Sequence, residues 1–266
     1  EGNQENRFYE LNGKMELKRR KDTTTWKYIV ENFAIPENAV YIDTSSVLII
    51  DDRGRRWRLP LGDPAYTVPT LQGKIRIARE VSTERDLMNC HGTFYELPAE
   101  NADGFAKIRP VSSHIFRIQD FAGYRGLLVM TGVDPGAADN PHVLVSKDQE
   151  MAVWVGAIDD LWKAGKPSGR GGPWFDTPVK AGIPSDPYLI GFYDQRSLRV
   201  SHDSQEKVVF TLEVDISGHG PRIVYRKMEI APGEELRFDF PVDFEARWIR
   251  FTSDRDTHAT TWLEYR

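Results

Sequence analysis

The sequence predicts an all-β protein in which partial, β-propeller-like blades are followed by a C-terminal β-sandwich. Three observations carry that expectation. Short runs rich in Val, Ile, Phe and Tyr recur along the chain, each closed by Gly, Pro, Asp or Asn. A helical period is sustained nowhere, and residues 157–164 (AIDDLWKA) offer a single turn at most. A Gly/Pro-rich stretch divides the strands into two groups.

In chain order, the first group of strands is expected at 40–50, 75–81, 104–110, 127–132, 142–146 and 151–157. Residues 48–59 read as a hairpin whose Gly54 supplies the positive φ of a tight turn, and a second hairpin is centred on Lys147, Asp148 and Gln149. Hairpins repeated at such intervals are what propeller blades contribute, with a plain sandwich as the competing arrangement. Residues 164–187 carry five Gly and five Pro in 24 residues. A regular sheet tolerates these residues poorly, so 166–186 is expected to be a connector between a blade-like region at 1–165 and an immunoglobulin-like sandwich at 187–266. Within that second unit, strands are expected at 189–193, 197–202, 208–216, 223–230, 235–240, 246–253 and 260–265. A Pro-Gly turn falls at 231–234, and one face of 208–215 alternates apolar with polar.

A formal net charge of −5 and a pI near 5.8 argue against a nucleic-acid partner. The one basic run, Lys18 to Lys21, is short and ends against Asp22. No window of about 18 apolar residues is present, so no spanning helix is expected. The chain opens EGNQENRFYE without Met, as a processed protein or a piece of a longer one would. The lone Cys90 cannot form an internal disulfide and is expected to be a buried small hydrophobe.

The segments NCHGTFYELP, GFAKIRPVSSH, YRGLLVMTG, VWVGAIDDLWKAGKPSGRGGPWFDTPVKAG and SDPYLIGF span most of the chain from about residue 40 onward. Through them the chain resembles the C-terminal portion of large exported bacterial proteins in which blade-like repeats precede an immunoglobulin-like sandwich. That family is poorly characterised and is met among polysaccharide-degrading bacteria. The resemblance implies architecture, a secreted or periplasmic location and a leaning towards glycans; it carries over no catalytic residue. It also implies that three blades' worth of sequence would need the remainder of a larger propeller chain, because a ring takes about four or more blades.

Candidate functional residues concentrate at 89–125, where two His, two Tyr and three Arg stand among strand residues. His91 and His114 are candidate acid/base groups, with Tyr95 and Tyr124 for proton transfer or orientation. Arg109 and Arg125 are candidate anion holders, an Arg fork being suited to a uronate carboxylate. Glu96, Trp162 and Trp174 complete the expected substrate-binding set, since indole rings offer sugars an apolar platform. The competing role for the same residues is structural: His91 bonded to a neighbouring turn, and the Arg side chains paired with Glu96, Asp103 and Asp120.

Glu96 with Asp120, or Asp159 with Asp160, are the carboxylate pairs a glycosidase would need at roughly 5 to 9.5 Å. Adjacent Asp159 and Asp160 suit a turn cap better. No zinc or EF-hand spacing and no phosphate loop occur, so neither metal nor cofactor is expected; the loop holding Asp134, Asp139 and Asn140 is a weak calcium candidate. Trp154, Trp248 and Trp262 read as structural. The function expected is part of an extracellular or periplasmic carbohydrate-active protein, a glycoside hydrolase or polysaccharide lyase acting on an acidic glycan. The alternative is a non-catalytic carbohydrate-binding or structural module. Geometry separates them: an enzyme places His91, His114, Arg109 and Arg125 around one depression, and a module disperses them.

Overall fold

The protein is described by a computed structural model over residues 8–32, 40–66, 78–82, 85–118 and 120–266. In chain order it forms β1 (Phe8–Leu11), β2 (Leu17–Arg20), helix α1 (Thr23–Asn32), β3 (Val40–Ile42), β4 (Val47–Ile50) and β5 (Arg56–Leu59). Then come β6 (Ala78–Ser82), β7 (Arg85–Cys90), β8 (Thr93–Leu97), β9 (Arg109–Ser113), β10 (Phe121–Tyr124), β11 (Leu127–Met130), β12 (Val143–Val145) and β13 (Ala152–Gly156). The last group is β14 (Gly169–Val179), β15 (Tyr188–Leu189), β16 (Arg196–His202), β17 (Val208–Asp215), β18 (Ile223–Ile230), β19 (Glu235–Asp239), β20 (Trp248–Ser253) and β21 (Thr257–Tyr265).

The all-β expectation holds, and no sheet among the described residues closes on itself. β6 to β9 form one four-stranded meander, and β10, β11, β13 and β12 pair in that order as a second sheet of four. A seven-stranded sheet runs β18-β17-β20-β15-β5-β4-β3, and a third four-stranded sheet runs β14-β21-β16-β19. These last two share one apolar core. Leu198 and Val200 of β16 and Leu263 of β21 belong to the same buried cluster as Phe210, Leu212, Ile249 and Phe251 of the larger sheet. The alternation along β16 and β17, buried at every second residue, is the pleat turning one face inward. A second cluster, built on Phe94, Phe121, Leu128 and Trp154, serves the β6–β9 and β10–β13 sheets.

The helix α1 was not expected. Its start was nevertheless written in the sequence, because the Asp22 carboxylate accepts the Thr24 N–H at 2.8 Å and the Thr25 hydroxyl, an N-cap that three consecutive Thr obscured. Residues 104–107 form a tight 3-10 turn rather than the strand expected at 104–110, and β9 starts only at Arg109. Of the strand expected at 75–81, residues 75–77 lie outside the described residues.

The larger correction concerns 166–186. The expected connector contains β14, an eleven-residue strand paired with β21 from Gly169↔Tyr265 to Val179↔Thr257, with register shifts before and after Trp174. The first bulge accommodates Pro173, and Pro178 is tolerated because β14 is an edge strand. The glycines serve close approach: a Cβ at Gly172 would stand 1.6 Å from the Thr261 carbonyl oxygen, and one at Gly171 would stand 2.2 Å from that of Ser45. The boundary near 165 is crossed a second time by β3 to β5, which join the C-terminal strands instead of the blade-like sheets. β5 runs parallel to β15 at Tyr188↔Arg58.

Around that parallel bridge the Arg58 N–H donates to the Pro187 carbonyl at 2.9 Å, and both Arg56 and Arg58 donate to the Asp186 carboxylate at 2.9 to 3.1 Å. Burial alone raises the Asp186 pKa, but the two guanidiniums outweigh it and hold the carboxyl below its usual value. Beneath, Trp57 packs on Trp248 with ring centroids 4.7 Å apart, and the Trp248 indole N–H donates to the Ala106 carbonyl at 2.9 Å. No helix among the described residues is long and apolar enough to cross a membrane.

A fragment of residues 187–266 lacks β14 and the whole β3–β5 edge, so it is expected to give no cooperative melt by circular dichroism; a fragment that melts cooperatively would show that these pairings are dispensable. In the full chain, Trp248→Ala should lower stability by about 3 to 5 kcal/mol by removing a buried indole and its hydrogen bond, read from denaturant unfolding.

Candidate functional site

His91 closes β7 at φ +50°, a left-handed position, and is 2% exposed. Its Nδ1 accepts the Gly62 N–H at 2.7 Å, so Nε2 carries the proton, and that atom is buried with no hydrogen-bond partner among the described residues. His114 is 7% exposed; its Nδ1 accepts the Phe116 N–H at 3.1 Å and its Nε2 donates to Asn89 Oδ1 at 2.7 Å. Phe94, Phe116 and Tyr66 surround the His114 ring. Burial lowers both imidazole pKa values to about 4. Each ring is thus neutral at pH 7 and ties one loop to the next.

The remaining expected residues separate. Tyr95 is 1% exposed in a knot with Tyr188, Tyr193 and Tyr265, where burial first and the neighbouring tyrosines next raise its hydroxyl far above the usual value. Tyr124 stands at the end of β10, opposite Leu127. Arg125, in the hairpin turn that follows, donates to the Gly13 carbonyl. Trp174, expected in the substrate-binding set, is instead buried against Phe210 and Phe251. Cys90 is buried, and its thiol is pushed up to about 12. Asp160 accepts the Ala157 N–H as a turn cap and pairs with Lys163, and Asp120 accepts the Phe121 N–H. Among the described residues no group of His, Cys, Asp and Glu is placed to hold a metal, and in the 134–140 loop the Asp134 and Asn140 side chains accept backbone N–H groups.

Arg109, Glu96 and Trp162 do come together. Arg109 donates to Glu96 at 2.6 Å, and its guanidinium lies 5.6 Å from the Trp162 ring centroid and 6.0 Å from that of Phe192. Neither Phe192 nor Arg247, whose guanidinium lies 4.8 Å from the same Phe192 ring, was marked as a site residue by the sequence.

Apart from that cluster, a cavity of about 1100 Å³ opens where the blade-like sheets meet the ends of β14 and β21. Of the expected catalytic set only His114 reaches its wall. Phe116, Trp154 and His142 supply aromatic surface, the last two stacked at 4.9 Å. Lys163, Lys166 and Arg170 also line it. Lys163 is paired with Asp160 and Lys166 with Asp194; Arg170 has no carboxylate partner among the described residues. Neither His142 nor Arg170 was marked as a site residue by the sequence, since each sits in a segment expected to be plain strand or connector.

No family model matches the chain, and no curated protein matches it. Among solved structures the chain is similar to PirA at 13% identity and a TM-score of 0.23, over 37% of this chain and 84% of that one. It is similar to a CBM4 structure at 14% identity and a TM-score of 0.16, over 56% and 73%. It is also similar to an exo-beta-1,3-galactanase from Phanerochaete chrysosporium with galactose at 7% identity and a TM-score of 0.23, over 87% and 69%. Likeness this weak carries no argument about fold or function.

A His whose folded pKa is depressed from 6.5 to about 4 binds fewer protons folded than unfolded, so its contribution is complete above pH 6.5 and is lost as pH falls towards 4. Between about pH 6.5 and pH 5 each imidazole should remove about 2 kcal/mol of stability. Denaturant midpoints measured across that window are expected to fall, and His91→Gln with His114→Gln should flatten the dependence. A midpoint that stays level in the wild type would show that the rings are not held neutral.

Proposed function

We propose that this chain is a non-catalytic β module that binds an acidic oligosaccharide. The observation that carries the proposal is that both candidate acid/base imidazoles already serve the fold. Each has its Nδ1 accepting a backbone N–H, both are neutral at pH 7, and Arg109 and Arg125 stand with other partners away from the cavity. General acid–base work needs a group that reaches substrate and changes protonation near the working pH, and none of the four expected catalytic residues meets that condition as placed.

Binding has better support. The cavity combines apolar and aromatic wall with a few convergent polar groups, as ligand sites do. A pyranose ring would lie on the Phe116 and Trp154 side, and a carboxylate would be drawn to Arg170. Our fuller architectural proposal is that the β6–β9 and β10–β13 sheets are propeller blades, and that the seven-stranded sheet with the β14-β21-β16-β19 sheet forms an immunoglobulin-like sandwich. The four-stranded make-up of the first pair and the shared core of the second support it.

The test is a titration of the protein with soluble acidic and neutral oligosaccharides, followed by calorimetry and by intrinsic tryptophan fluorescence compared with that of Trp154→Phe, with parallel assays for new reducing ends and unsaturated products. Saturable binding without turnover, weakened about tenfold by Arg170→Ala, is expected. Turnover abolished by His114→Gln would overturn the proposal in favour of a hydrolase or lyase.

A further inference from the structure

We infer that the surface formed by Trp162, Phe192, Arg109 and Arg247 is a second binding site, separate from the cavity, that takes a hexuronate residue by stacking its ring and pairing its carboxylate with Arg247. None of these four residues lines the cavity.

Three features converge there. Trp162 and Phe192 keep 50% and 42% of their surface open, although large rings are usually covered. Phe192 holds φ +71°, a conformation unfavourable for a bulky residue that persists where the surrounding structure enforces it. The strain keeps an apolar ring outward. Then there is charge. Arg109 is offset by Glu96 at 2.6 Å, but Arg247 has no ion-pair partner among the described residues. Its Nη1 donates to the Lys107 and Ile108 carbonyls at 2.7 and 3.1 Å. Asp215 raises the Arg247 pKa only as the smallest influence on it, and its carboxylate is already committed to the N–H groups of Ser217, Gly218 and Gly220. Burial and the adjacent Arg109 both lower the Arg247 pKa, as expected of a partly buried cation beside a like charge.

A partly buried, uncompensated guanidinium is costly unless an anion completes it, and a carboxylate matches the fork. Two open rings beside that fork fit a flat, anionic ligand better than a free inorganic ion, which gains nothing from Trp162 or Phe192. Among anionic ligands with a flat apolar face, a uronate carries its carboxylate on the ring it stacks.

The experiment titrates the full chain with a short oligogalacturonate, with the neutral oligogalactoside of equal length and with acetate. The wild type should bind the acidic oligomer about tenfold or more tighter than either control. Arg247→Lys should erase that preference. Phe192→Gly should weaken acidic binding at least about fivefold while leaving the melting temperature unchanged or higher, since Gly relieves the strained backbone; Trp162→Ala should act similarly on binding. Equal affinity for acidic and neutral oligomers in the wild type, or undiminished binding in Phe192→Gly and Trp162→Ala, overturns the inference. Loss of acidic binding in Arg170→Ala alone also overturns it, and leaves the cavity proposal standing.

Discussion

The parallel bridge between β5 and β15 is the constraint on which the rest of the molecule depends. It joins strands about 130 residues apart in sequence. Through it a hairpin of the first 60 residues becomes the edge of a sheet otherwise made of the last 80. A parallel pair needs a long crossover, and here the crossover carries β6 to β14. Asp186 receives Arg56 and Arg58 together on one side of this seam, while Trp57 and Trp248 fill the other. The indole N–H of Trp248 then reaches the 104–107 turn and fixes the meander of β6 to β9 against the large sheet.

Both proposed sites follow from that seam. The cavity lies between the blade-like sheets and the ends of β14 and β21, so it has the depth it has because the two parts are held at a fixed separation. The Trp162 and Arg247 surface likewise brings Arg109 from β9 and Arg247 from the residue before β20 together beside Phe192. Inside the junction, His91 and His114 do what buried imidazoles do when no charge is near enough to sustain ionisation: they accept one backbone N–H each and stay neutral.

Much of the strand pattern was legible. The hairpin over 48–59 closes as expected, with Gly54 at φ +74°, and the alternation in 208–215 buries Val208, Phe210 and Leu212. Local chemistry suffices there, because a pleat has period two and a tight turn needs a left-handed residue. Trp154 proved buried, as its apolar flanks implied. The stretch 166–186 failed as a connector for a reason no local rule contains: its glycines permit backbone approach to Ser45 and Thr261, partners far away in sequence.

Sequence by itself therefore determined that the chain is built of β-strands and where most of its hairpins turn. Tertiary structure alone decided which of its polar groups face solvent. Arg109, Glu96 and Trp162 meet because β9 packs beside the 158–163 turn; His91 and Tyr95 vanish into cores; and Arg247, more than a hundred residues from Arg109, arrives at its side. Residue type fixes what a side chain can do, whereas its partners, burial and charge neighbours are set by contacts between segments remote in the chain, which no local pattern encodes.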